Sequence, residues 1–218
     1  MDFAVILTTA PFILRGTVVT VELVVLVLLL SAPLAVLVAL GRDSRVAWLS
    51  IPLGVLSSTV RGLPPLLILF GVYFALPQLG LEIDPFPAAV AGMTLYVMFY
   101  FAEAVRAGLA SVDRGQLIAA RALALPPART LLRIILPQAM PAALPSCIGY
   151  ATEVVKSSAL TASIAVAETM GNAYQLILTT NRPFEILLFV AAIYAVLDTI
   201  LLLLQGVAER RWPQRARR

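Results

Sequence analysis

Six ionisable residues lie within long apolar stretches of the sequence, where a charged side chain needs a physical reason to be present. A charge at the centre of a membrane costs about 2.5–3.5 kcal/mol on insertion scales. We therefore expect each of the six to face the interior of a helix bundle, a water-filled cavity or another member of the set, rather than lipid. The residues are Glu22, Arg61, Glu153, Lys156, Glu168 and Asp198.

Local spacing relates some of these charges to structure. Glu153 and Lys156 are three residues apart, so they share a helix face and can form an ion pair. That pair either cancels charge inside the protein or contacts a charged ligand, and the sequence leaves both roles open. Arg61 directly precedes the Gly-Leu-Pro-Pro segment 62–65, which predicts a broken helix. Arg61 then either anchors the break or lines a cavity.

The whole chain has the composition of an integral membrane protein. Of its 218 residues, 61% are hydrophobic and 13% are charged, with a mean hydropathy of +0.95. A soluble domain has roughly 45–50% apolar and about 25% charged residues. The sequence has no histidine and a single cysteine, Cys147. This excludes a Ser-His-Asp or Cys-His catalytic site, a histidine-ligated metal site and an intrachain disulfide, so we predict neither a catalytic nor a metal site.

The apolar stretches predict an all-α fold, a single polytopic membrane domain over residues 1–218 with about five spans. Twelve arginines lie in one set of connecting segments and two in the other. The positive-inside rule then predicts an external N-terminus and a cytoplasmic C-terminus. The basic tail 208–218 is expected to contact lipid headgroups, so the positive charge indicates topology and no nucleic-acid partner. The predicted spans are 17–41, 51–76, 85–105, 139–167 and 183–206.

The connecting segment 110–137 is predicted to be a cytoplasmic loop of two short helices. The first, 116–125, is alanine-rich and should stop at Pro126-Pro127, since proline lacks an amide donor. The second, 128–136, is amphipathic and is predicted to end at Pro137. Small residues at 119–120 would let another protein backbone approach closely. The alternative is an interfacial amphipathic loop without a partner.

This loop resembles the EAA loop of ABC-transporter permeases of the polar amino acid (histidine/glutamine/arginine) type. The segment 119–123, Ala-Ala-Arg-Ala-Leu, and the segment 134–138, Ile-Ile-Leu-Pro-Gln, carry the similarity. Ile118 stands where the family has the glutamate of the motif, and Ala124 stands where it has the turn glycine. The positions that the resemblance assigns to docking on an ATPase are Gln116, Ala119, Ala120, Arg121, Ala124, Leu125, Leu136 and Pro137.

Further segments resemble the same family, in the same order along the chain. They are Val60-Arg61-Gly62-Leu63-Pro64, Ala102-Glu103 with Arg106, Lys156-Ser157-Ser158-Ala159-Leu160, and Arg182-Pro183-Phe184-Glu185. The resemblance implies a multi-pass permease in a bacterial cytoplasmic (inner) membrane that takes up polar amino acids or related compounds. It also implies a second copy or a homologous permease as partner, two ATPase subunits and an extracytoplasmic solute-binding protein.

The resemblance leaves ATP hydrolysis to the partner subunits. The sequence has no Gly-x-x-x-x-Gly-Lys-Ser/Thr phosphate loop, so we expect no cofactor in this chain and ATP-Mg in the ATPases. A zwitterionic amino acid needs a cation for its carboxylate and an acceptor for its ammonium. Arg61 or Lys156 is a candidate for the first, and Glu22, Glu103 or Glu153 for the second.

Two other classes of function compete with this interpretation. A secondary transporter or channel would use Glu22, Glu153 and Asp198 as a path for protons or ions, and its transport would not require an ATPase. A membrane enzyme or scaffold is the second alternative. The lack of histidine and of clustered acidic motifs argues against the enzyme.

Overall fold

A computed structural model describes residues 4–211, and within this range the chain is helical with no strand. Residues 212–218, most of the predicted basic tail, lie outside the described part. The fold class predicted from the sequence, an all-α membrane protein, is confirmed. The α-helices are α1 (Ala4–Arg42), α2 (Ala47–Gly62), α3 (Pro65–Phe70), α4 (Pro85–Ser111), α5 (Arg114–Ala122), α6 (Pro127–Thr130), α7 (Leu136–Ser158), α8 (Thr169–Thr180) and α9 (Pro183–Arg211).

Four helical stretches within residues 4–211 are long and apolar enough to cross a membrane. They are Val5–Arg42, Pro85–Ser111, Pro127–Ile164 and Pro183–Val207. A fifth span results if α2 and the helical segment 65–79 are counted together, although the two are bent by 111°. This agrees with the prediction of about five spans.

The bend between α2 and α3 follows from two consecutive prolines. Leu63 has extended backbone angles (φ −90°, ψ 142°), as expected for a residue that precedes proline. Pro64 is also extended, and Pro65 begins α3, where its missing N–H costs nothing. The predicted helix break next to Arg61 is therefore present.

The helices α1, α4 and α7 form the centre of the bundle. Their buried side chains include Leu23 and Val27 from α1, Met93 and Val97 from α4, and Val154 from α7. The helices α4 and α7 run antiparallel and approach closely. At Gly108 an added Cβ would lie 2.5 Å from the carbonyl oxygen of Ala139, so only glycine fits there.

The prediction that Pro137 ends a helix is wrong. α6 continues through a π-helical turn, Leu131–Ile135, into α7, and the whole of Pro127–Ile164 is one helical stretch. In the wide turn the Leu136 amide donates to the carbonyl of Leu131, five residues earlier. A π turn of this kind inserts a residue into the helix. The backbone hydrogen bonds therefore change register just before Pro137, and the helix continues.

The short helix α8 is an element that the sequence analysis did not predict. It lies between the fourth and fifth spans and is capped at its start by Glu168, whose carboxylate accepts from the Gly171 amide. It ends at Asn181, which has a left-handed backbone (φ 56°) and precedes Arg182-Pro183. An acidic cap at the start and an asparagine followed by proline at the end are ordinary helix-boundary signals, so the sequence carried the information.

Candidate functional site

An open cavity of about 110 Å³ lies between α4 and α7. Tyr96 and Tyr100 are four residues apart on α4 and therefore share a face, and the antiparallel α7 brings Tyr150 against them. The ring centroids are 4.9 Å apart for Tyr96–Tyr100 and 5.1 Å apart for Tyr100–Tyr150. The cavity is lined by Tyr96, Val97, Tyr100, Tyr150, Glu153, Val154 and Ser157.

This lining suits a ligand that carries a positive charge and hydrogen-bonding groups. The faces of tyrosine rings attract cations, and the carboxylate of Glu153 attracts them more strongly. The hydroxyls of the tyrosines and of Ser157 can both donate and accept hydrogen bonds. The sequence analysis missed the tyrosines, although the i, i+4 spacing of Tyr96 and Tyr100 in an apolar span would have indicated them.

The predicted ion pair between Glu153 and Lys156 is present, and it includes a third member. Lys156 Nζ lies 3.0 Å from Glu153 Oε1 and 3.5 Å from Asp198 Oδ2 on α9. The side chains of Glu153 and Lys156 are 61% and 50% exposed, whereas that of Asp198 is only 22% exposed. A single ammonium thus bridges two carboxylates, of which one lines the cavity.

A second ionic cluster joins the ends of α1, α2 and α4. Glu103 contacts Arg42, lies 3.2 Å from Arg61 Nη2 and lies 3.3 Å from Arg106 Nη1. Arg106 also pairs with Asp43 at 2.7 Å. Arg61 and Glu103, both candidates for substrate contacts, are therefore paired with each other and do not line the tyrosine cavity.

One hydrogen bond connects the tyrosine cavity to the break between α2 and α3. The Tyr100 hydroxyl donates to the backbone carbonyl of Arg61 at 2.9 Å. That carbonyl belongs to the last turn of α2, where no helical amide follows to pair with it, so a side-chain donor replaces the missing partner. Tyr100 therefore contacts both the cavity and the bent span.

A third polar cluster surrounds a fully buried carboxylate at the other end of the bundle. Glu168 is 0% exposed and accepts hydrogen bonds from Tyr194 (2.8 Å), Thr20 (3.1 Å) and the amide of Gly171 (2.8 Å). The Thr169 amide donates to Thr20 Oγ1 at 3.1 Å. These bonds fasten α8 to α1 and α9, and the expectation that Glu168 faces the interior is confirmed.

Burial raises the pKa of Glu168 above its ordinary value, because the charged form loses its hydration. The hydrogen bonds from the backbone amides, Tyr194 and Thr20 act in the opposite direction. The net effect is a carboxyl group that binds a proton more readily in the folded chain than in water.

In contrast to the buried Glu168 cluster, the loop helix α5 has most of its surface exposed. Gln116, Ala119 and Arg121 are exposed, as is Ile118 with 67% of its surface accessible. Ala120 is the exception: it is 2% exposed, so the prediction that it offers a surface to another backbone is wrong. Its methyl group is covered by other residues of its own chain.

The turn after α5 is built differently from the sequence prediction. The helix ends at Ala122, and Ala124 has a left-handed backbone with φ 50°. The Leu125 amide donates to Ala120 O and the Ala124 amide donates to Arg121 O, the two bonds of a Schellman motif. This motif ends α5 at Ala122, four residues before the first proline, so Pro126-Pro127 starts α6 and does not stop α5. The left-handed residue is the one that stands in place of the family glycine.

The remaining loop candidates lie beside this turn. Leu125 and Leu136 are half-buried, and Pro137 is exposed. The two glutamines of the loop are 3.5 Å apart, with Gln138 donating to Gln116. The loop therefore presents an exposed surface on α5 and a partly buried base where it joins α7.

Of the three surroundings expected for Glu22, the described chain provides neither its own packed interior nor another of the six charges, and a water-filled cavity stays a prediction. Glu22 lies on an exposed face of α1, and no hydrogen bond or ion pair joins it to another residue of 4–211. The reason is helical geometry, since Thr20, Leu23 and Val27 occupy the buried face of α1 and Glu22 points away from it. The path of carboxylates that a secondary transporter would need is therefore not assembled in the described chain, because Glu22 contacts neither Glu153 nor Asp198.

Comparison with known proteins gives a consistent result. Residues 31–213 match the family model described as the binding-protein-dependent transport system inner membrane component. The chain is 34% identical over 215 residues to the arginine transport system permease protein ArtQ of Bacillus subtilis (strain 168), covering 97% of each sequence. It is 35% identical over 213 residues to the probable amino-acid ABC transporter permease protein PatM of Vibrio harveyi, covering 96% of each.

A solved structure supports the same relationship. The crystal structure of an amino acid ABC transporter with histidines contains a chain that superposes with a TM-score of 0.88 at 30% identity. The match covers 97% of this chain and 99% of that one. The resemblance drawn from the sequence motifs is confirmed.

Proposed function

The chain belongs to the family of binding-protein-dependent transport system inner membrane components, and from this premise we propose that it carries polar amino acids, with a preference for those with a cationic side chain. It is a multi-pass membrane protein and the permease subunit of an ABC importer. The observation that carries the substrate class is the tyrosine cavity with Glu153 on its wall.

The argument for a cationic substrate is electrostatic. Glu153 and Asp198 together carry two negative charges against the single positive charge of Lys156. A group with a net negative charge attracts a cation. The rings of Tyr96, Tyr100 and Tyr150 add further attraction for a guanidinium or ammonium group.

The energy for uptake comes, in this proposal, from separate ATPase subunits that bind ATP-Mg. They dock on the exposed surface of α5 and of the residue that follows it, where Ile118, Arg121 and Leu123 are accessible. As a permease subunit, the chain is not an enzyme in itself. ATP-driven closure of the ATPases would move α5 and, through α4 and α7, open the cavity to one side of the membrane and then to the other.

The same proposal fixes the remaining partners and the location. A second permease, either another copy or a homologous chain, completes the pore, and an extracytoplasmic solute-binding protein delivers the substrate. The membrane is the bacterial inner membrane, with the N-terminus outside and the arginine-rich loop and C-terminus in the cytoplasm.

The test is uptake by the reconstituted transporter. Proteoliposomes that contain the permease, its ATPase and its binding protein should accumulate labelled arginine only when ATP-Mg is inside with the ATPase. Glu153→Gln should lower arginine uptake at sub-saturating concentration by about tenfold or more, as expected when the charged partner of a bound cation is removed. Asp43→Asn, which removes a carboxylate of the other ionic cluster, is the matched control. Equal rates for wild type and Glu153→Gln would overturn the assignment of the cavity.

A further inference from the structure

Asp198 is the residue of the polar interior whose position the proposed function does not yet use. It lies in the leucine-rich span α9, and its Oδ2 is 3.5 Å from Lys156 Nζ. Its other oxygen, Oδ1, is buried and has no hydrogen-bond partner within the described residues. A buried carboxylate oxygen without a donor is unfavourable and needs an explanation, and a donor gained in another state of the protein is one.

The distances show which carboxylate holds Lys156 in the structure. Lys156 Nζ donates a hydrogen bond to Glu153 Oε1 at 3.0 Å, whereas its distance to Asp198 Oδ2 is longer, 3.5 Å. Glu153 lines the tyrosine cavity, whereas neither Lys156 nor Asp198 does. Lys156 thus occupies the carboxylate that a cationic substrate would need, and a second acceptor lies beside it.

Charge balance indicates what happens when a cation enters the cavity. Two carboxylates and one ammonium leave one negative charge uncompensated, and a substrate cation at Glu153 supplies the missing positive charge. The two cations would then repel each other if Lys156 stayed at Glu153. Asp198 relieves that repulsion because its unpartnered Oδ1 can accept one of the three N–H donors of Lys156.

We propose that Asp198 is the exchange counter-ion for Lys156: when the cationic group of a substrate binds Glu153, Lys156 transfers to Asp198. This inference rests on the proposed function and adds a specificity-determining residue that does not touch the substrate. Asp198 is a positioning residue in this scheme, since it acts through Lys156. It favours amino acids with a cationic side chain because, in this scheme, that side chain is the group that binds Glu153.

The test compares arginine and glutamine uptake by the complete transporter carrying Asp198→Asn. Without the second carboxylate, Lys156 stays on Glu153, so the KM for arginine should rise about tenfold while kcat and the KM for glutamine change by less than about twofold. Asp198→Glu should restore most of the arginine affinity. Thr199→Ala, next to Asp198 on the exposed side of α9, should match wild type.

A double-variant measurement separates this role from a structural one. In a Lys156→Gln background, Asp198→Asn should have no further effect on the KM ratio of arginine to glutamine, because the transferred group is absent. Two results would overturn the transfer of Lys156 to Asp198: an unchanged KM ratio in Asp198→Asn alone, or the same change in that ratio with and without Lys156. In either case, arginine uptake by the wild-type transporter would leave the proposed function intact. Failure of the wild-type transporter to accumulate any amino acid would overturn both.

Discussion

Two short helices, α5 and α8, connect the spans at opposite ends of the bundle. They differ in how much of each helix is packed and hydrogen-bonded within the chain. α8 is capped by the buried Glu168 and is held to α1 by hydrogen bonds, including one from Asn172 to the Phe12 carbonyl at 2.8 Å. α5 buries Ala120 and leaves the other residues of its length exposed.

The difference shows which end of the permease is complete in a single chain. The buried polar residues of α8, Thr169 and Asn172, find partners within the subunit, so the helix should hold its position without another protein. Two exposed apolar residues, Ile118 on α5 and Leu123 directly after it, have no such cover, and clustered exposed apolar side chains are typical of a docking surface. The arginines around them favour an acidic partner surface.

The largest effect is expected from Glu168→Ala, which removes the centre of the α8 cluster. The hydroxyls of Tyr194 and Thr20 and the Gly171 amide would lose their acceptor. Each buried donor left unsatisfied costs about 1–3 kcal/mol, so the unfolding free energy should fall by roughly 3 kcal/mol or more. Thermal unfolding in detergent measures this, and Arg121→Ala on α5 should leave the midpoint unchanged. Equal midpoints for wild type and Glu168→Ala would remove the contrast between the helices.

A smaller loss is expected from Gly16→Ala on α1. The added Cβ would lie 2.6 Å from the backbone oxygen of Glu168, so α8 would have to move away. Overpacking of this kind typically costs about 1–3 kcal/mol. Gly54→Ala on α2 is the matched control, because nothing lies within 4 Å of its added Cβ. If both variants unfold at the same temperature, the close packing of α8 on α1 is wrong.

In the turn after α5, in contrast, a substitution should increase stability. Ala124 has φ 50°, a conformation that costs an alanine roughly 1 kcal/mol relative to glycine. Ala124→Gly should therefore stabilise the loop by up to about that amount, measured as slower amide exchange at Leu125. Faster exchange in the glycine variant would show that the left-handed turn is not formed.

The smallest effect is a slope of stability with pH. The pKa of Glu168 is raised by burial above its value of 4.5, so the folded chain binds this proton more tightly than the unfolded chain does. The stabilisation from this group is complete below about pH 4.5 and is lost as the pH rises through the folded pKa. Unfolding midpoints of wild type should therefore fall across that window more steeply than those of Glu168→Gln. If the unfolding midpoints of wild type and Glu168→Gln changed with pH in parallel, the raised pKa of Glu168 would be contradicted.

Local rules predicted much of this fold and less of its polar interior. The apolar composition predicted the membrane spans, and the consecutive prolines predicted the bend after Arg61. The i, i+3 spacing predicted the ion pair of Glu153 and Lys156. The contacts of Glu103 with Arg42 and of Lys156 with Asp198 could not be predicted in this way, because 61 and 42 residues separate the partners. Such contacts depend on which faces the packed helices turn towards each other.

The exposure of Glu22 and the burial of Ala120 have the same explanation. Charge in a span is costly, so Glu22 was expected to face a bundle interior, a water-filled cavity or another charge, but its exposure in this chain is set by the buried face of α1 that Leu23 and Val27 occupy. Ala120 was expected outside because small residues suit a docking surface, yet a small residue suits a close contact within the chain equally well. Burial is a tertiary property, and residue type alone did not determine it.

The central claim, that α5 is the surface on which a separate ATPase acts, is tested most directly by one pair of substitutions. Ile118→Asp on α5 and Leu178→Asp on α8 place the same charge on side chains that are 67% and 85% exposed. Each permease variant is co-purified with its ATPase, and the retained ATPase is quantified per permease. We predict that Ile118→Asp reduces the retained ATPase about tenfold or more, as expected for a central interface residue, and that Leu178→Asp leaves it unchanged. Full retention of the ATPase by Ile118→Asp, or an equal loss in both variants, would contradict the account.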